Sequence, residues 1–454
     1  MGELWGGCGV LGGILLLAIL ISPIANAQQG TKWVTAWAAS SQGPYPSGSV
    51  LALPDQSFAF PVSAEGANDQ SFRMIVRPSV LAGKTRLRFS NAFGTKPIKL
   101  DGVFVGLQLS SAAIVPRTNV PVLFSGGKNI VIAPGRDVWS DPVILPFAGP
   151  KKVMDLLGRK LAVSFHILGS SGPMTWHAKA LQTSYISLPH AGSHGDEYGE
   201  QAFPTSSTAW FFLSAVDMRM PNDTSLVVCL GDSITDGTNS TLNGDDRWPD
   251  ILQRRFSERR PNGVAVVDAG IGSNQIIRPE VYDVRAPVPG GPAALQRIDR
   301  DVAALSGVTT VVWFEGINDL AHTVPTNTIL DGYRTGVVQL RKSIPRVRVV
   351  GATITPALGG KNSIGSEEID KKRKVVNDAI RSGDIFDAWL DFEQAVIDPQ
   401  SGTLKPEYIP NSTIGGPGDN VHPNRAGYMA IGGSIDLDAI LPKARSTSRY
   451  PKEH

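Results

Sequence analysis

Four short segments of this 454-residue chain carry side chains that could act on a carbonyl group. Gly231-Asp232-Ser233-Ile234-Thr235-Asp236-Gly237 puts a serine in a glycine-framed turn behind an apolar run. There its Oγ and nearby backbone N–H groups can face one space, although a serine in such a turn equally well caps a helix. Asp268-Ala269-Gly270-Ile271-Gly272-Ser273-Asn274 has small residues that let backbone approach a ligand, or simply make a tight turn. Glu315-Gly316-Ile317-Asn318-Asp319 offers an Asn amide that can donate to a developing oxyanion; taken alone, Asn-Asp after a strand reads as a turn. The segment 415–424 (GGPGDNVHPN) holds Asp419 and His422 three residues apart. A carboxylate against imidazole Nδ1 leaves Nε2 free to take a proton from serine. Asp319 and His322 repeat that spacing, which alone does not choose between the pairs. The Gly/Pro-framed loop favours His422, because Pro423 can open a following helix and hold the histidine at its entrance.

Each block follows an element able to position it. Ser225–Leu230, Val264–Asp268, Thr309–Phe314 and Val347–Thr353 are continuous apolar runs, with helix-like stretches at Asp246–Arg260, Pro292–Leu305, Asn327–Ile344 and Ser366–Ser382. Strands apolar on both faces and alternating with helices predict a parallel sheet covered on two sides. Ligands sit at the carboxyl ends of such strands, and the first three runs end in three of the blocks. Neither G-x-x-x-x-G-K-[ST] nor G-x-S-x-G occurs, which removes the P-loop and the α/β-hydrolase nucleophile elbow.

The first half follows a different period. In Lys84–Phe89, and in Leu161, Val163, Phe165 and Ile167, apolar residues fall at every second position, with Gly, Pro, Asn and Ser between segments. That pattern predicts an all-β, sandwich-like region over 31–222 ahead of an α/β region over 223–442. His166, off the apolar face, reads as a surface strand histidine, and His177, beside Trp176, has no catalytic partner nearby in sequence. Lys371-Lys372-Arg373-Lys374 reads as the solvated face of a helix.

Composition narrows the class. Length suggests two or three domains, while 42% hydrophobic and 19% charged residues indicate a globular chain. A net charge of +2 gives no reason to expect nucleic acid. Val10–Ile21 is an apolar run too short to span a bilayer comfortably, and Ala25-Asn26-Ala27 offers a cleavage pattern, so residues 1–27 read as an export signal. An uncleaved anchor is the alternative, since that leader has Glu3 and no Lys or Arg. Cleavage leaves no membrane-inserted segment and Cys229 as the only cysteine, hence no internal disulfide. Residues 443–454 read as a polar, frayed tail.

Taken in order, G-D-S-I, the glycine-containing turn, G-I-N-D and the late D-x-x-H resemble the GDSL/SGNH hydrolase family across residues 231–422. The resemblance implies an SGNH-type three-layer α/β/α catalytic domain with Ser233 as nucleophile, His422 as general base and then acid, and Asp419 orienting it. It further implies oxyanion donors at Asn318, at the backbone N–H of Ser233 and at Gly272 or Ser273, and no metal or cofactor. The family's second-block glycine aligns with Ser273, so the donor there stays open. The β-rich half resembles a segment preceding the catalytic domain in some exported bacterial members. The expected activity is ester hydrolysis through an acyl-enzyme, removing short acyl groups such as acetyl from carbohydrate. A lysophospholipid esterase and a catalytically inactive glycan-binding protein are the alternatives.

Overall fold

The computed structural model describes residues 1–2, 6–7, 30–48 and 55–441, so the leader's apolar run and the tail from 443 lie outside the described residues. Among the described residues no helix is long and apolar enough to cross a membrane.

The first half is antiparallel. Its principal strands are β1 (Thr31–Ala38), β2 (Asn68–Val76), β3 (Lys84–Ser90), β4 (Ile98–Ser110), β5 (Leu161–Ser170), β6 (Thr175–His177) and β7 (Leu213–Pro221). One sheet runs β1–β7–β3, and a second holds β5 between β2 and β4. Their inner faces meet through aromatic rings. Phe89 of β3 lies edge-on to Phe165 of β5 at 5.2 Å, and Phe165 stacks on Phe72 of β2 at 5.2 Å. The alternating residues that predicted these strands are the ones that fill this core.

The outer face of β5 departs from expectation. His166 is buried, with Nδ1 2.6 Å from Asp101 and Nε2 3.0 Å from Asp69. The reason is the segment near 190–200, which folds across this sheet. Ser71 Oγ donates to Gly192 O, and the buried Arg73 donates to the carbonyls of Glu197 and Gly199. A face exposed in an isolated sheet thereby becomes interior.

The second half holds a parallel sheet of β8 (Ser225–Gly231), β9 (Val264–Gly270), β10 (Val308–Phe314), β11 (Arg348–Ala352) and β12 (Ala388–Leu390), in the order β9–β8–β10–β11–β12. Three-residue β12 is too short to announce itself as an apolar run. The helices used below are α1 (Trp248–Arg259), α2 (Ala294–Ile298), α3 (Ile317–Ala321), α4 (Thr326–Ser343), α5 (Glu367–Arg381) and α6 (Arg425–Ser434). The stretch predicted as one helix over 292–305 is α2 followed by a wider π-helical turn, Asp299–Ala303.

Both faces of β8 are covered, as its unbroken apolarity requires. Val227 and Cys229 pack with Trp248, Leu252 and Phe256 of α1 and with Tyr428 and Ile431 of α6. The three α1 residues recur every fourth position, so they share one face, and burying each contributes roughly 1.5–3 kcal/mol. Leu226, Val228 and Leu230 face the other way, into a core with Tyr333 and Val337 of α4 and Val376 of α5. That core continues without a break into Val34, Leu87 and Phe89 of the β-rich half. Polar contacts reinforce the junction: Thr35 N donates to Ser306 O at 2.9 Å, and Ser306 Oγ donates to the buried Asp217 at 2.7 Å.

Helix α5 corrects the reading of its basic run at one position, Arg373, while Lys371 and Lys374 are exposed as read. Ser366 caps it by accepting from Ile369 N, but Arg373 is fully buried and bonds Asp370 and Glu393. It also reaches the Ile354 carbonyl just past β11, so it ties helix to sheet instead of facing water.

Candidate active site

Parallel registry levels the strand ends: Gly231 pairs with both Gly270 and Phe314. The residues that follow these three positions therefore enter one region. Glycine is needed there for close approach. A Cβ on Gly231 would collide with the Phe314 carbonyl, and one on Gly270 with the Asp236 backbone. The turn carrying Ser233 folds down over these ends. It is held by Asp236 N donating to Asp232 O (2.9 Å), Thr238 N to Ser233 O (3.0 Å) and Ile234 N to the Asp232 carboxyl (3.0 Å).

The fourth block meets this turn. Ser233 Oγ lies 2.8 Å from His422 Nε2, although the residues are 189 positions apart. His422 Nδ1 lies 2.6 Å from Asp419 Oδ2, while Asp419 Oδ1 accepts from the backbone N–H groups of Val421 (3.0 Å) and His422 (2.9 Å). Burial opposes ionisation of Asp419, but the hydrogen bond and charge of His422, with those N–H groups, outweigh it and hold the carboxyl well below the usual range. The following helix starts two residues later than expected: α6 opens at Arg425 rather than Pro423, and Asn424 caps it by accepting from Ala426 and Gly427 N–H. The rival pair does not form. Asp319 faces inward and accepts from Ile276 and Ile277 N–H, whereas the exposed His322 bonds the Asn318 carbonyl through Nδ1 at 2.8 Å.

Ser233, His422, Asp419, Ser273 and Asn318 line one cavity of about 320 Å³. Asn318 is anchored by donating one amide hydrogen to Asn274 O at 3.0 Å, which leaves its second hydrogen for the cavity. The second block resolves into unequal halves. The Gly272 N–H is committed to Asp236 Oδ2 at 2.9 Å, so Gly272 is corrected as an oxyanion donor. Ser273 N has no acceptor among the described residues, and Ser273 holds the left-handed φ of 65° that glycine adopts more readily.

Three contributors were missed by reading the sequence. Arg297 of α2, buried, donates to Gly231 O (2.8 Å), Ala269 O (2.7 Å) and Asn274 Oδ1 (2.7 Å), stapling two strand ends to the second block. His177 of β6 does have an acidic partner, Asp236, at 3.1 Å, and its Nδ1 meets the Ser40 carbonyl at 2.8 Å. Burial disfavours charge on His177, yet Asp236 and the Ser40 carbonyl outweigh burial and raise its pKa. Asp236 then bridges this β-strand histidine to Gly272. Lys179, two residues on, reaches the cavity itself and bonds Thr238. A lone arginine in a helix, or a histidine after a tryptophan, carries no local signal of such tasks.

Beneath the site lie acids that prefer to be neutral. Burial, reinforced by Glu315, raises the Asp232 pKa to about 8; burial likewise raises Glu315 and Asp319 to about 7. A carboxyl raised above its unfolded value of ~3.9 binds its proton more tightly in the folded chain, so its contribution to stability falls as pH rises from about 4 to 8. Asp232→Asn keeps the acceptor for Ile234 N–H and cannot ionise. The wild type should therefore lose more stability than D232N between pH 5 and pH 9, by at least about 1 kcal/mol, one pKa unit's worth. Urea unfolding midpoints at both pH values measure this; identical pH slopes would contradict it.

Comparison with known proteins agrees with this geometry at the level of family. Residues 229–430 match the family described as GDSL-like lipase/acylhydrolase. No curated protein sequence matches the chain. Solved structures similar to it include a carbohydrate acetylesterase family member from Sinorhizobium meliloti (18% identity, 46% of this chain and 95% of that one, TM-score 0.35). A GDSL-like lipase from Bacteroides thetaiotaomicron is similar at 18% identity, covering 47% of this chain and 87% of that one, with a TM-score of 0.34. An aryl esterase from M. smegmatis is similar at 17% identity over 46% and 95%, TM-score 0.34. At such scores neither activity nor substrate passes from them to this chain.

Proposed function

We propose that this chain, whose residues 229–430 match the family described as GDSL-like lipase/acylhydrolase, is a serine ester hydrolase working through an acyl-enzyme. The observation that carries the reading is the continuous line Ser233 Oγ–His422 Nε2 (2.8 Å) and His422 Nδ1–Asp419 (2.6 Å) at the rim of a cavity. Ser233 Oγ attacks the acyl carbonyl as His422 Nε2 takes its proton, and Asp419 stabilises the resulting imidazolium. The backbone N–H groups of Ser233 and Ser273, with the Asn318 amide, receive the oxyanion. His422 returns the proton to the departing alcohol. It then takes one from water, which attacks the acyl-serine, and delivers it to Ser233 Oγ as the acid departs.

The finer reading is an SGNH-type three-layer catalytic domain over 223–442, preceded by an exported chain's β-rich domain over 31–222, removing short acyl groups such as acetyl from carbohydrate. It acts on small-molecule or carbohydrate esters outside the cytoplasm, with no nucleic-acid partner. Lys179, Thr238, Lys361 and Asn362 around the nucleophile offer hydrogen bonds that suit an oxygen-rich alcohol better than an alkyl chain, which favours sugar over lysolipid. A fluorophosphonate probe followed by peptide mapping tests the assignment: Ser233 should carry the label, and folded protein that stays unlabelled would instead be a glycan-binding protein. Acetate release from acetylated xylan, set against hydrolysis of lysophosphatidylcholine, tests the substrate.

A further inference from the structure

Lys179 is an unusual wall for an esterase cavity. It is only 7% exposed, its ammonium bonds a neutral hydroxyl, that of Thr238, and it forms no ion pair among the described residues. An ammonium has three N–H donors, so two stay available. Burying a cation without a carboxylate against it is costly, and the cost is recovered when an anion arrives with a ligand. Burial lowers the Lys179 pKa from its ordinary value, and of the charges around it Arg247 acts the same way while Asp236, Asp419 and Asp232 oppose it.

Its position within the site is specific. Asn239, the residue after Thr238, donates its side-chain amide to the His422 carbonyl at 3.2 Å. A second lysine of the same cavity, Lys361, is exposed and sits on a loop fastened to the same block. In that loop Gly359 O accepts from Asn420 Nδ2 at 3.1 Å, and Gly360 lies against Val421. Both lysines thus flank the Asp419–His422 loop, the side from which His422 protonates the departing alcohol. Ser273 and Asn318 belong to the other strand ends.

We propose that Lys179 and Lys361 form a subsite for an anionic group, a carboxylate, sulfate or phosphate, on the alcohol half of the ester. The preferred substrates are then acylated acidic molecules. The part of this concerning turnover rests on the esterase reading; the binding part does not.

The test is a matched pair, 4-acetoxybenzoate and neutral 4-acetoxybenzamide, at low ionic strength. One charge-assisted contact corresponds to about a tenfold preference, so wild-type kcat/KM should favour the benzoate by about tenfold. Lys179→Met should bring the ratio close to one and Lys361→Ala should lower it about threefold. Added salt should lower it as well. A wild-type ratio of one or less, or a ratio untouched by both substitutions, overturns the proposal. Should K179M fail to fold, the exposed Lys361→Ala variant and the salt series decide. Calorimetry on Ser233→Ala protein gives an arm independent of catalysis: 4-hydroxybenzoate should bind about tenfold tighter than 4-hydroxybenzamide. If that preference holds while neither ester is hydrolysed, the esterase reading fails and the subsite stands; if both esters turn over equally, the reverse is true. Acetylated polyuronate and lysophosphatidate, compared as substrates, tell a sugar carboxylate from a lipid phosphate, and faster cleavage of either than of its uncharged analogue supports the subsite.

Discussion

Ser233→Ala should leave a folded protein whose hydrolysis of 4-nitrophenyl acetate falls by about 10⁴–10⁶-fold, the range seen when a triad nucleophile is removed. The fold should survive because the turn is held through the Ser233 carbonyl, which accepts from Thr238 N, and alanine keeps that group. The side-chain Oγ makes one hydrogen bond, to His422. What remains after substitution is the cavity and its donors, which orient an ester for attack by water but supply no covalent route. Stopped-flow and steady-state rates, with circular dichroism as the folding check, measure the effect. Retention of a tenth or more of wild-type turnover would remove Ser233 from the mechanism.

The two histidines should separate just as widely. His422→Ala removes the group that accepts the serine proton and should depress kcat by a similar factor of about 10⁴–10⁶, while His322→Ala should stay within about threefold of wild type. The asymmetry follows from what each imidazole touches. His422 Nε2 faces Ser233 Oγ and its Nδ1 is held by Asp419. His322 is exposed at the end of α3, bonds a carbonyl of its own helix and makes no hydrogen bond or ion pair with Asp319, three residues before it. Loss of activity in the His322 variant with retention in the His422 variant would move the base to the third block.

The acids beneath the site add a condition to both experiments. Burial raises the pKa of Asp232, Glu315 and Asp319 in the fold, so alkaline assays weaken the platform under Ser233. Rates of variants are therefore best compared at or a little below neutrality, where Asp232 is still mostly protonated.

What the sequence determined by itself was the material that depends on near neighbours along the chain. Period-two and continuous apolar runs mark where strands lie and which residues fill the core, so the extents of β3, β5 and β8 to β11 were legible to within a residue or two. The glycines closing β8 and β9 speak through local steric chemistry, so the position of the first three blocks at strand ends was legible as well. The tertiary structure alone decided everything that depends on approach between distant positions. It chose Asp419–His422 over Asp319–His322, because equal spacing says nothing about which pair faces a serine 189 residues earlier. It separated Ser273 from Gly272 because Asp236, arriving from another turn, takes the Gly272 N–H. It buried His166 and Arg373, and it recruited His177, Lys179 and Arg297 to the site. Burial and electrostatic partnership are set by what packs across a residue, which no local pattern of residue types encodes.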